Sequence, residues 1–425
     1  MRENLEFLIE IQTLKEIPRT GLVLLGVKDP PSVADHIVRG AITSWLLGIK
    51  HNLNVEYLIK TAFSHDLGEV YGGDRTPFWG LLPEDEKARK EFLKKWIRLP
   101  LREKKKRDEK EFKEEKRLLL KLLKPLSLNL RDEIFYFWLN YKKKLTKEGL
   151  FFFQVDKMEG MIEALESLNK KDYAFVAPWW EEADEIIVDD LLKNFYKIIQ
   201  NKFYNSRLEI KINKTLKKEL ENILEFILEI GRLKRMGRLY WKLRGIENSE
   251  TVTGHIFTLF LMTWLFAKEK IKLNQEKLFK MVLCHELSAV YTGDTTPYDR
   301  ILSRNINEKE KILKKMIRLS KKEKEWIFLE DYKEEKKSLE RLTRKLDPQI
   351  KKEILNLWED YRVKSSPEAK FLSQLNILAV LLQGLLYEKK YKGFSTHPIW
   401  EWAFESCDDN ICLSLMEEMK KKFYD

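Results

Sequence analysis

The sequence predicts an all-α protein in which one helical bundle is written twice. Three observations carry this. Apolar residues recur at helical spacing, as in "SVADHIVRGAITSWLLGI", where Val33, Ile37, Ala41 and Trp45 share one stripe. Period-two alternation with β-branched residues is scarce throughout. Finally, "HDLGEVYGGDRTP" (His65–Pro77) returns as "HELSAVYTGDTTP" (His285–Pro297), an offset of 220 residues.

Other pairs keep that offset: "WIRL" (Trp96–Leu99) with "MIRL" (Met316–Leu319), "FWLNY" (Phe137–Tyr141) with "LWEDY" (Leu357–Tyr361), and "APWWEEA" (Ala177–Ala183) with "HPIWEWA" (His397–Ala403). Upstream, Arg19 and His36 pair with Arg238 and His255 at an offset of 219, so one residue was gained in between. The copies therefore span residues 1–205 and 220–425. Between them, residues 206–219, "SRLEIKINKTLKKE", are charged and poor in Gly and Pro, which predicts a semi-ordered spacer.

Within the first copy, "MRENLEFLIEIQTLKE" mixes acids into its apolar positions and is not expected to be an export signal. The Val33 stripe predicts the next helix. "EYLIKTAFSHDLGEV" places Leu58, Ala62 and His65 on one face and predicts a helix running through His65, stopped by Gly72 and Gly73. Thr76 and Pro77 read as a cap and first helical position. "LPEDEKARKEFLKKWIRL" has Pro near its start, acids early and bases late, as the helix dipole favours. "QVDKMEG" sets Asp156 inside an otherwise apolar late helix.

With 425 residues the chain is long enough for two domains with sizeable cores. The net charge of +11, from 79 basic against 68 acidic residues, suits anionic partners such as nucleotides. Lysine is diluted by glutamate rather than interleaved with aromatics, so a dedicated nucleic-acid face is not favoured. The longest apolar run, Ile256–Ala267, is about half of what a bilayer crossing needs and predicts a buried helix with no membrane partner. Cys284, Cys407 and Cys412 lack CxxC spacing, which fits neither a disulfide framework nor a zinc site and suits a reducing, cytoplasmic setting.

His65 and Asp66 are adjacent on the predicted helix, about 100° apart, and can grip one ion from two directions. Glu69, four residues after His65, shares that residue's face and can act on a water held by the ion. His36 alone would read as a satisfied core histidine. The set of His36, His65, Asp66, Glu69, Asp74 and Asp156 points instead to one divalent transition ion (Mn, Co, Fe, Ni or Zn) with room for water and substrate. That is a hydrolytic site.

His36, then "HD" at 65 and 66, then a late Asp156, resembles the metal-binding signature of the HD-domain phosphohydrolases. "HDxxE…GDxTP" and the upstream "PRTG" (Pro18–Gly21) are similar to the 5'-deoxynucleotidase branch of that superfamily. The resemblance implies two tandem HD-domain bundles and release of phosphate from nucleoside 5'-monophosphates with one divalent metal. It further implies His36, His65, Asp66 and Asp156 as ligands, and Glu69 and Asp74 as the acid/base and water-positioning pair. Arg19 becomes a phosphate or sugar contact, with Thr76 as a second substrate contact. Bacterial members of this type commonly carry Trp directly after the Arg, where this chain has Thr20, so the sugar preference stays open.

The second copy keeps Arg238, His255, His285, Asp294 and Thr296, but Asp66 becomes Glu286, Glu69 becomes Ala289 and Asp156 becomes Asn376. It has lost a charged ligand and an acid/base. A degenerate copy is expected to serve as an internal pseudo-dimer partner for the first. The alternatives are an HD phosphodiesterase, a nucleotide triphosphate or pyrophosphate hydrolase, or a nucleotide- or RNA-binding adaptor without turnover.

Overall fold

The computed structural model describes residues 1–76, 80–95, 98–270, 272–296 and 319–425. The helix start expected at Pro77, and parts of the paired "WIRL" and "MIRL" segments, lie outside them. Among the described residues the regular elements are all helices, with two isolated bridges, Pro18 to Ser32 and Gly237 to Thr251. The all-α expectation holds. The bridges occupy equivalent places in the two copies and fix the residue before each Arg beside the cap of each His-bearing helix.

Packing divides the chain into two compact units, Glu10–Gly231 and Met1–Ile9 together with Arg232–Asp425. These limits differ from the limits of the sequence repeat, because the repeat records equivalence and the units record which segments pack together.

In the unit Glu10–Gly231, helix Val33–Ile49 is the centre, lying against Val55–Ser64 and Lys147–Ser167, with Leu128–Lys143 packed on both of those neighbours. It is buried nearly all round, Val33, Ile37, Ala41 and Trp45 included. Ser32 caps it in a reciprocal box, accepting from Asp35 N at 3.2 Å while the Asp35 carboxylate accepts from Ser32 N at 2.8 Å. Residues 206–213 of the connector are not helical and are pinned to helix Asp190–Tyr204, with Leu208 N donating to Asn201 at 2.8 Å and Lys211 N to Asn194 at 2.8 Å. Asn213 then caps helix Lys214–Ile230, which packs on Val33–Ile49.

One local expectation is corrected. The helix expected to run through His65 ends at Ser64, with His65 as its cap, and a tight turn leads to the short helix Glu69–Gly72. Across the turn the amides reach back three residues rather than four, as in Glu69 N to Asp66 O at 3.0 Å. Gly73 closes the segment at φ +69°, a left-handed angle that glycine adopts without penalty.

The unit containing Arg232–Asp425 repeats the arrangement, with Val252–Ala267 against Gln275–Cys284 and Pro367–Lys390. Cap positions recur as well: Asn54 and Asn274, Thr146 and Ser366. Among the described residues one helix, Pro367–Lys390, is long and apolar enough to cross a bilayer, but most of its apolar stretch is buried inside this unit. It is the counterpart of the helix that carries Asp156.

Candidate metal centre

Three helices bring the first copy's ligands together. His36 projects from the first turn of Val33–Ile49, His65 from the end of Val55–Ser64 and Asp156 from Lys147–Ser167. One ligand atom from each of the three lies within 4.8 Å of the others, and all three residues are buried. Asp156 Oδ1 is 2.9 Å from His36 Nε2 and 3.5 Å from His65 Nε2, and its Oδ2 accepts from Tyr141 Oη at 2.7 Å. Asp66 joins through Oδ2, 2.9 Å from His65 Nε2.

These residues fit a cation. His65 Nδ1 donates to Ala62 O at 2.6 Å, which leaves Nε2 as the nitrogen aimed inward. That Nε2 is buried and, although close to two carboxylates, makes no hydrogen bond of acceptable direction among the described residues. Neutral imidazole nitrogens and carboxylate oxygens converging on one gap are the donor set of a divalent transition ion.

The electrostatics match. Burial alone would lower the His65 pKa, yet the charge of Asp66, with the Asp156 carboxylate close by, outweighs it and raises it to about 10. Asp156 shows the converse: burial pushes it up, but the two histidines hold it well below the ordinary carboxylate range. Glu69 has no such compensation. Burial and then the charges of Asp66 and Asp74 push its pKa well up, and its Oε2 is buried without a hydrogen-bond partner among the described residues.

Arg19 reaches the same place. Its guanidinium lies 3.2 Å from Asp74 Oδ1, 3.7 Å from Asp66 Oδ2 and 3.6 Å from Glu163 Oε2. Asp74 is fully engaged: Oδ2 accepts from Thr20 N at 2.5 Å, and its carbonyl accepts from Thr20 Oγ1 at 2.7 Å. Thr76 lines a cleft with Arg19, Asp74 and Asp156. All eight residues singled out in the sequence therefore gather around one site.

Two more were missed. Glu159 lies one turn after Asp156, and His36 Nδ1 hydrogen-bonds to its Oε2; Arg39, one turn after His36, donates to Glu159 Oε1 at 2.6 Å. The carboxylate fixes the ring so that Nε2 faces the gap, which is how outer residues orient metal-binding histidines. Helical spacing from His36 and Asp156 was the available signal.

The HD domain family matches residues 11–199 and again 230–400. The chain belongs to the HD-domain family. Its relatives include the 5'-deoxynucleotidase HDDC2 of Danio rerio, 32% identical over 170 residues, which are 40% of this chain and 72% of the relative. The 5'-deoxynucleotidase HDDC2 of Homo sapiens is 28% identical over 167 residues, 39% of this chain and 69% of the relative. The 5'-deoxynucleotidase YGK1 of Saccharomyces cerevisiae is 32% identical over 167 residues, 39% of this chain and 67% of the relative. Each alignment has the extent of one copy. This HD-domain protein is a metal-dependent phosphohydrolase of that branch.

The second copy's counterpart is built differently. Glu286, one methylene longer than Asp66, turns to Arg238 at 2.7 Å and stands 3.7 Å from His285 Nε2. His255 Nε2 faces the amide oxygen of Asn376 at 2.6 Å, and its Nδ1 is buried without a partner among the described residues. Ala379 and Thr258 occupy the places of Glu159 and Arg39. Burial, and then the charge of Arg238, lowers the His255 pKa to about 3. Ligand atoms of His255, His285 and Glu286 still fall within 4.8 Å of one another.

Proposed function

We propose that the first copy hydrolyses nucleoside 5'-monophosphates to nucleoside and phosphate, and that the second copy does no chemistry and serves as its internal partner. The observation that carries the reading is the buried convergence of His36, His65 and Asp156, with an unpartnered imidazole nitrogen facing their shared gap. A divalent ion held by these three and Asp66 supplies a Lewis acid for the phosphoryl oxygen and lowers the pKa of water toward neutrality.

The chain's own groups do the rest. Arg19 offers a planar fork of donors to the phosphate. Asp74, tied to Arg19 and Thr20, holds that fork in place, which leaves Glu69 as the general base that takes the proton of the attacking water. A new P–O bond forms to water, the bond to the 5'-oxygen breaks, and the nucleoside leaves as its alcohol, the proton taken by Glu69 passing to that oxygen. The relatives are named 5'-deoxynucleotidases, so 2'-deoxynucleotides are the first substrates to try.

The second copy lacks a counterpart of Glu69 and offers Asn376 for Asp156. Its Glu286 is also engaged by Arg238 at 2.7 Å. The buried free thiols of Cys284, Cys407 and Cys412 favour a reducing cytoplasm. The test is a phosphate-release screen of nucleoside mono-, di-, tri- and cyclic phosphates with several divalent metals. Release from monophosphates is expected; turnover confined to tri- or cyclic phosphates would overturn the substrate assignment.

A further inference from the structure

The first copy's site opens into a cleft enclosing about 820 Å³ including its mouth, within the range of small-molecule pockets. Arg19, Asp156 and Lys157 bring charge to its lining, while Trp179, Leu22 and Met161 bring apolar surface. Lys157 Nζ stands 3.8 Å from Glu182, another lining residue.

Two glycines shape this space. A Cβ on Gly21 would come within 3.2 Å of the Trp179 ring, and a Cβ on Gly160 would meet no atom within 4 Å. Neither has a positive φ, so the backbone does not demand glycine at either place. Gly160 also sits inside a helix, where glycine is destabilising relative to alanine. What the two glycines leave is room beside an indole. Gly160 lies one turn beyond Asp156 on the same helix face, about 6 Å along the axis, so that room continues from the metal ligands.

The second copy lacks each of these features. Tyr240 stands in place of Gly21, Val380 in place of Gly160, Ile377 in place of Lys157 and Ile399 in place of Trp179. The half-buried indole and the open floor thus belong to the copy that carries Glu69 and Asp156.

We propose that Trp179 is the platform on which the flat base of the substrate stacks, over the floor left open by Gly21 and Gly160. This rests on reading the first copy as a nucleotidase. It makes base-bearing nucleotides, rather than bare sugar phosphates, the substrate class. A base and an indole present matching flat faces, and such stacking is sequence-tolerant because every base has a π-face. Tight selection of one base is therefore not expected from Trp179 alone.

The experiment compares the full metal-loaded chain with Trp179→Leu, Trp179→Phe and Gly160→Val, using 2'-deoxyadenosine 5'-monophosphate and 2-deoxyribose 5-phosphate. Trp179→Leu is expected to raise KM for the nucleotide about 10-fold with kcat little changed, and to leave the sugar phosphate unaffected. Trp179→Phe restores most of the loss, and Gly160→Val reproduces it by filling the floor. Equal losses on both substrates, or none on either, overturn the platform. If the wild type hydrolyses neither compound, the nucleotidase reading fails, and equilibrium binding of the same two compounds decides the platform. A preference for the nucleotide that Trp179→Leu abolishes supports it, and equal affinities in wild type and variant overturn it.

Discussion

At Glu69 the buried Oε2 has no partner among the described residues, as His65 Nε2 has none, but Glu69 stands outside the converging set of His36, His65 and Asp156, and this separates their roles. Glu69→Gln is expected to retain metal by elemental analysis and to lose about 10²- to 10⁴-fold in turnover. Activity within a few-fold of wild type would move the base elsewhere. Glu159 acts one layer out, through His36. Glu159→Gln keeps the shape but weakens the acceptor for Nδ1, so metal affinity measured against a chelator should fall about 10- to 100-fold, with much of the turnover regained at saturating metal. The pH dependence has a definite sign. In the metal-free site His65 holds its proton up to about pH 10, and an ion can bind its nitrogen only after that proton leaves. Metal affinity should therefore climb with pH from the ordinary histidine range toward about 10. An affinity flat across that window would show that His65 is not a ligand.

The helices that carry the site were legible because each has a strong local signature: the stripe through Val33 and Trp45, the Ser32 cap, the Gly73 stop. Removing the reciprocal cap with Ser32→Ala should cost about 1–2 kcal/mol and lower the first unfolding transition, since Asp35 is left buried with fewer partners. What local pattern did not reveal was the turn at His65. Helical periodicity continues through "SHDLGEV", and only the three-residue hydrogen bonds from Leu67 onward tighten the chain and rotate Glu69 away from a regular helix position. Glu159 and Arg39 were missed because an acid and a base at helical spacing in a charged chain read as surface, and their burial depends on two helices more than 100 residues apart in sequence meeting face to face. Trp179 was visible as part of a repeated motif but not as a cleft wall. Its change to Ile399 in the second copy was the one sequence sign that its role is not packing alone.

Duplication gives the molecule an internal control, since one bundle is present with and without the residues assigned to chemistry. The unit Glu10–Gly231 includes helix Lys214–Ile230, whose Leu220, Ile223, Leu224 and Ile227 are buried. A fragment of residues 1–205 lacks that helix and uncovers the side of Val33–Ile49 on which it packs. It should melt earlier than the full chain or self-associate in sedimentation experiments. A stable, fully active monomer of 1–205 would show that the rest of the chain is dispensable. The central claim is that metal and chemistry reside in the first copy alone. Its most direct test is metal content and phosphate release measured together on wild type, Asp66→Ala and His285→Ala. The account predicts about one ion per chain in wild type, loss of both ion and turnover in Asp66→Ala, and retention of both in His285→Ala. Metal and turnover that survive in Asp66→Ala but vanish in His285→Ala would contradict it.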